Sequence, residues 1–211
     1  MSENKNAPAS AFRALLGRFI IEIVTGLLLL AALFFVIGAE QTRRAQETKT
    51  PAFAAVASDD IGTVIDAVDG DTLVVTFNSG RTTIDLIGIR AFPVTAGDPT
   101  VARYGRIAQE YLKQQTAGQT ARIILPPHPM KRDGNLVASL FLMGADGHYG
   151  HDLGLDLIRQ GHVLVDIRSA SAAKDRYLEA EHTAVTKAVG FWRNETMKIR
   201  AIAVKAVWEE D

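Results

Sequence analysis

There is no cysteine among the 211 residues. That excludes disulfide staples, thiolate catalysis and cysteine-held zinc or iron–sulfur centres, although it leaves the compartment open. An excess of charge is missing too. The formal net charge is −1, and from residue 51 onward 17 Lys and Arg face 20 Asp and Glu. A domain that grips a phosphate backbone is usually basic, and single-strand binders stack bases on aromatic side chains. With 7% aromatics and a net negative domain, nucleic acid is not an expected partner. No internal repeat, glycine-rich phosphate loop, nucleophile elbow or zinc motif is present.

What is present is the composition of an ordinary folded protein, with 47% hydrophobic and 22% charged residues, long enough for one domain and an additional segment. Residues 19–39 read FIIEIVTGLLLLAALFFVIGA. At ~1.5 Å per residue, about 20 such residues cross a bilayer core. The run is long for the apolar part of a signal peptide, and no clean small-x-small cleavage site follows it. An uncleaved single-pass anchor is expected, between a tail at 1–18 and a linker at 40–58. Lys5, Arg13 and Arg18 before the run balance Arg43, Arg44 and Lys49 after it, so the positive-inside count is tied. A short tail usually stays in the cytoplasm, which places the larger domain on the periplasmic face of a bacterial inner membrane. Glu22 lies inside the run. It either reaches the headgroups or pairs with a polar group on a neighbouring helix, since ionisable groups in a bilayer are costly. The second option makes Glu22 a contact to a membrane protein partner.

Residues 59–194 carry the signals of an α+β domain. Strands are expected at 61–67 and 72–77 around Asp69-Gly70-Asp71, which turn chemistry alone would explain. A third strand is expected at 81–89, with others at 121–125, 136–143 and, briefly, 163–166. Helices are expected at 101–115, at 153–160 ahead of Gly161, and at 172–188. This order suits a five-stranded Greek-key barrel with about three helices packed on it. Residues 195–211 read as a helical extension with Ile199, Ile202, Ala203, Ala206 and Val207 on one side. His148 and His151, followed by Asp152, read as a hairpin turn leading into a helix with Asp152 near its start. Lys131-Arg132 reads as a solvated loop tip.

Val68-Asp69-Gly70-Asp71-Thr72-Leu73, followed by Ile84-Asp85-Leu86-Ile87-Gly88-Ile89, resembles the opening of the staphylococcal nuclease family. Tyr104-Gly105 with Ala108 and Leu112, then Leu157-Ile158-Arg159-Gln160-Gly161, then Glu181, Ala184, Gly190 and Trp192, continue the resemblance from about residue 56 to 194. It implies an OB-fold barrel. It also implies calcium-dependent phosphodiester cleavage, with carboxylates on the metal, a glutamate that activates water and two arginines on the phosphate.

The positions that carry this chemistry in the family are rewritten. Asp85 stands at the first arginine, Arg90 at a metal-ligand aspartate, Pro93 at the glutamate and Asn135 at the second arginine. Asp71, with its neighbour Asp69, is what remains. Calcium takes 6–8 oxygen ligands, and Arg90 brings a fixed positive charge instead of one. Pro93 can neither orient a water nor accept a proton. Asp85 repels a phosphate. No glutamate occurs between Glu47 and Glu110, so no shift of alignment supplies the base. The resemblance therefore implies the fold without the family's catalytic residues, metal or other cofactor, with Arg90 paired to Asp85 or Asp71 to keep the old pocket neutral. The expected function is that of a non-catalytic module anchored to a membrane as an accessory or assembly subunit. A divergent phosphodiesterase built on Asp69 and Asp71 is one alternative, and a barrel binding a saccharide or other ligand is another.

Overall fold

The computed structural model describes residues 56–169 and 171–210. The expected anchor at 19–39, with Glu22, lies outside the described residues. Among those described, no helix is long and apolar enough to cross a membrane.

The elements run β1 (Ile61–Asp69), β2 (Thr72–Phe77), β3 (Gly80–Leu86), β4 (Ile89–Ala91), α1 (Pro99–Thr116), β5 (Thr120–Ile124), β6 (Lys131–Arg132) and β7 (Asn135–Met143). They continue with β8 (Tyr149–Asp152), α2 (Leu153–Arg159), β9 (Val163–Val165), α3 (Lys174–Thr186), a 3-10 turn (Gly190–Arg193) and α4 (Glu195–Glu210). Strands β1, β2 and β3 form an antiparallel meander. β1 pairs on its other edge with β5, β5 with β7, and β7 closes the circuit by running parallel to β3. The result is the five-stranded closed barrel expected of the OB class. Closure leaves these strands without a long free edge. Val64, Leu73, Val75, Ile84, Ile123 and Leu140 point into it, each at most 1% exposed. The sequence alternation around them is what selects the inward face.

One feature differs from expectation, and one that the sequence left open is decided. The third strand does not run from 81 to 89. It breaks at Gly88, whose φ is +79°, a conformation open to glycine at little cost. The chain leaves the barrel there, and β4 pairs with β9 in a separate two-stranded ribbon. The feature left open is α4, which is part of a second apolar core with Phe92, Val101, Leu164, Ala184, Phe191 and Trp192. It enters that core through Met197 and Ala201, while Ile199, Ile202 and Val207 are exposed. The side marked in the sequence by Ile199, Ile202 and Val207 is the outer one. α4 is apolar on two sides, so periodicity alone did not say which side faced the domain.

Helix α1 begins as its sequence dictates. Asp98 accepts hydrogen bonds from Thr100 N–H at 2.8 Å and Val101 N–H at 3.3 Å, and Pro99 occupies the first turn, where its missing N–H costs nothing. Asp152 caps α2 in the same way by accepting from Leu155 N–H. The expected hairpin before that helix is present as β7–β8.

Candidate functional site

Asp69, Asp71, Asp85 and Asn135, four of the positions singled out from the resemblance, lie where the β1–β2 turn, β3 and the β6–β7 hairpin meet. In the turn, Asp69 accepts from Gly70 N–H at 2.7 Å. Gly70 is buried, and a Cβ there would come within 2.6 Å of the Ala108 methyl and 2.7 Å of the Ala91 methyl, so α1 can approach only because the residue is glycine. Asp71 follows as β2 begins, and its neighbour Thr72 sits directly opposite Asp85 of β3. Across the tight β6–β7 hairpin, Arg132 is paired with Asn135. Cross-strand partners share a face, so both side chains reach the same spot.

There, one guanidinium spans two carboxylates. Arg132 Nε donates to Asp85 Oδ2 at 2.7 Å, and Arg132 Nη2 donates to Asp71 Oδ2 at 2.9 Å. Asp85 Oδ1 also accepts from Thr72 Oγ1 at 2.9 Å and from Asn135 Nδ2 at 3.0 Å. Asp71 and Asp85 are 6% and 3% exposed. The planar fork of arginine is suited to holding two acceptors in fixed directions.

Two carboxylates sharing one cation leave the cluster short of positive charge, and titration reflects it. Burial drives the Asp71 carboxyl up to about 6; Arg132 opposes this, while the neighbouring charges of Asp69 and Asp85 add to it. Asp69 is likewise raised, first by burial and then by Asp85, against the hydrogen bond from Gly70.

The expected pairing of Arg90 with Asp85 or Asp71 is not what forms. Arg90 turns to Asp166, with Nε 3.5 Å from Oδ2. Asp166 is also held by Arg168, through Nε at 3.0 Å, Nη2 at 3.1 Å and the backbone N–H at 3.1 Å. Burial alone would raise Asp166, but Arg168 and then Arg90 outweigh it and hold the carboxyl below its usual range. Pro93 is exposed, and its carbonyl accepts from Ala96 N–H.

Arg132 is the residue that sequence reasoning missed. Lys131 is exposed as a loop tip should be, but Arg132 is drawn inward, its side chain 16% exposed. A signal was available. Asp71 and Asp85 enter an apolar barrel close together, buried carboxylates need a cation, and Arg132 lies three residues before the Asn135 position already assigned to the site.

The cluster does not fit a calcium ion. A cation between Asp71 and Asp85 would have to displace a guanidinium bonded to both. Asn135 Nδ2 and Thr72 Oγ1 are turned as donors onto Asp85, which uses up the oxygen the metal would need. His148 and His151 lie on or beside β8, and both are exposed. Among the described residues no group of three or more His, Cys, Asp or Glu is placed to hold a metal.

The family model of the staphylococcal nuclease homologues matches residues 83–194, just over half of the chain. The chain belongs to this family. No curated protein matches it. The matched segment starts within β3 and ends just before α4. β1 and β2, with Asp69 ending β1 and Asp71 in the turn between them, precede it yet complete the barrel by pairing with β3 and β5.

Proposed function

We propose that this chain is a non-catalytic module of the nuclease fold, acting as an accessory or assembly subunit at a membrane. The observation that carries the first half is the Arg132 guanidinium bonded to both Asp71 and Asp85. This internal cation engages Asp71, which the resemblance sets at a metal ligand, and the positions it sets for the base and the two phosphate-binding arginines hold Pro93, Asp85 and Asn135. Losing a single transition-state donor already costs ~10²–10³ in rate, and here ligand, base and arginines change together. The second half is supported by the apolar run at 19–39 with Glu22 inside it. It is supported also by the net negative charge beyond residue 51, which disfavours a nucleic-acid partner.

Two experiments test this. Full-length protein is incubated with single- and double-stranded DNA and with RNA in calcium chloride; no cleavage above the buffer control is expected. Cleavage that a chelator stops and that Asp71→Ala abolishes would establish the divergent phosphodiesterase instead. Mild-detergent purification from native membranes should bring down a stoichiometric membrane protein, and Glu22→Leu should weaken that association. Recovery of the chain alone would remove the accessory-subunit reading.

A further inference from the structure

A second site lies on the outside of the barrel and shares no residue with the Asp71–Asp85–Arg132 cluster. Where β5, its following loop and β7 face the start of α3, the surface opens into a groove of about 560 Å³, within the range of small-molecule sites. Its walls are mostly apolar, formed by Ile87, Ile124, Leu125, Pro126, Pro127 and Phe141. Two prolines and a phenylalanine give it stiff walls, so little side-chain freedom would be lost when a ligand enters.

The polar groups in the groove are few and unequal in sign. Arg122 and Arg176 line it, with Asp152 as its one carboxylate. Asp152 is fully engaged: Oδ1 accepts from Leu155 N–H at 3.1 Å and from Tyr177 O–H at 2.9 Å, and Oδ2 is bonded to Arg176. Arg122 is not. Its Nη2 donates to the Tyr149 carbonyl at 3.1 Å, and Nη1 lies 3.5 Å from Asp59, whose side chain is 69% exposed. Its Nε is buried with no hydrogen-bond partner; among the described residues only Trp192 Nε1 shares that state. Nε is closed to solvent, so a ligand would meet the rest of the side chain, which is 38% exposed, and an anionic oxygen is the acceptor a guanidinium takes best. The guanidinium is also stacked 5.7 Å from the centroid of the Phe141 ring, which fixes it at the boundary between the charged and apolar parts of the wall. Ser139 and Ser171 add hydroxyls along the same groove.

We propose that this groove binds a small amphiphilic anion, with its apolar body along Ile124, Pro126 and Phe141 and its carboxylate or phosphate head on Arg122. The lining is too apolar for a saccharide, which would need a polar partner for nearly every hydroxyl it buries. The site goes beyond the accessory role proposed above and does not depend on it.

The test is calorimetric titration of the full-length chain in a neutral maltoside detergent, blanked against detergent alone. The probes are 4-phenylbutyrate, 4-phenylbutyl phosphate and, as the uncharged control, 4-phenylbutanol. Saturable binding of one or both anions is expected, with Kd on the order of 1 mM or tighter for so small a ligand, and the two arms tell a carboxylate from a phosphate head. Arg122→Gln should weaken it about tenfold or more, the loss expected for a charge-assisted hydrogen bond. Ser139→Phe, which fills the groove and leaves both arginines in place, should abolish it. Circular dichroism checks the fold of each variant, and if Arg122→Gln unfolds, Ser139→Phe decides. Absence of saturable binding, equal binding by the alcohol, or binding unchanged in a folded Arg122→Gln or Ser139→Phe variant would overturn the proposal.

Discussion

Glu181 and Asp152 are buried carboxylates, and so are Asp71 and Asp85, but the two groups are satisfied in different ways. Glu181 accepts from the Val165 N–H at 2.9 Å and is paired with Lys205. Asp152 caps α2 and receives Tyr177 and Arg176. Each has a cation of its own together with a backbone N–H, and each ties separate elements: Glu181 joins α3 to β9 and α4, and Asp152 joins α2 to α3. Asp71 and Asp85 share one guanidinium, and the pair stays short of positive charge. A self-contained clip is what a fold needs for specificity. Asp71 and Asp85 instead converge on one guanidinium that the chain itself supplies. The same fold thus shows two buried acids each clipped to a cation of its own and two that share one.

The largest effect expected from breaking that contrast is at Arg132. Arg132→Met removes the one cation from two buried carboxylates and should cost about 3–5 kcal/mol in urea unfolding at pH 7. Part of the loss should be recovered on adding calcium chloride, because binding to the native state stabilises it by mass action. Wild-type protein should show no such recovery. If calcium stabilises both equally, Arg132 is not acting as the cation of the site.

The next effect is a pH dependence of unusual sign. Asp71 is raised to about 6 in the folded state, against a value near 4 for an unperturbed aspartate. Between those values the native state binds more protons than the unfolded chain, so stability falls as pH rises. The contribution is fully present below pH 4 and is lost on passing through pH 6. Over that window it amounts to about 2–3 kcal/mol. Unfolding free energies of wild type and Asp71→Asn, compared at pH 4.5, 5.5 and 7, should diverge by this amount, with the wild type losing more. Parallel profiles would mean that Arg132 fully neutralises Asp71. A smaller cost belongs to the clip: Lys205→Ala should destabilise by about 2–3 kcal/mol, below the full cost of an orphaned buried charge, because Val165 N–H still serves Glu181.

The degree to which this contrast could be read from sequence follows the physics of each part. The barrel strands were legible because alternation with period 2 and Asp-Gly and Asn-Ser-Gly turns act locally. Helices α1 and α2 were legible from apolar spacing and their boundaries. The break at Gly88 was not, because Leu86-Ile87-Gly88-Ile89 reads as one apolar strand, and only the pairing of Ile89 with Val165, 76 residues away, says that the chain has left the barrel. Three of the positions singled out from the resemblance, Asp71, Asp85 and Asn135, do come together. Their wiring was not legible. Arg132 and Asp85 are separated by 47 residues, and no local pattern says which of the available arginines will be drawn inside.

The smallest effect is expected at Arg90, and it discriminates most sharply between position and partnership. The resemblance read from the sequence would set Arg90 at a metal-ligand position and count it among the residues of the Asp71 site. By geometry it sits at the edge of a different charge cluster, its side chain 34% exposed and 3.5 Å from an Asp166 that Arg168 already holds. Exposed pairs contribute about 0–1 kcal/mol. Arg90→Ala should therefore change stability by less than about 1 kcal/mol and leave the pH profile of Asp71 nearly intact, since Arg90 is the last and weakest of the influences on that carboxyl. A loss comparable to that of Arg132→Met would mean that Arg90, through space, is the second cation of the buried pair. The deficit of positive charge that distinguishes Asp71 and Asp85 from Glu181 and Asp152 would then not exist.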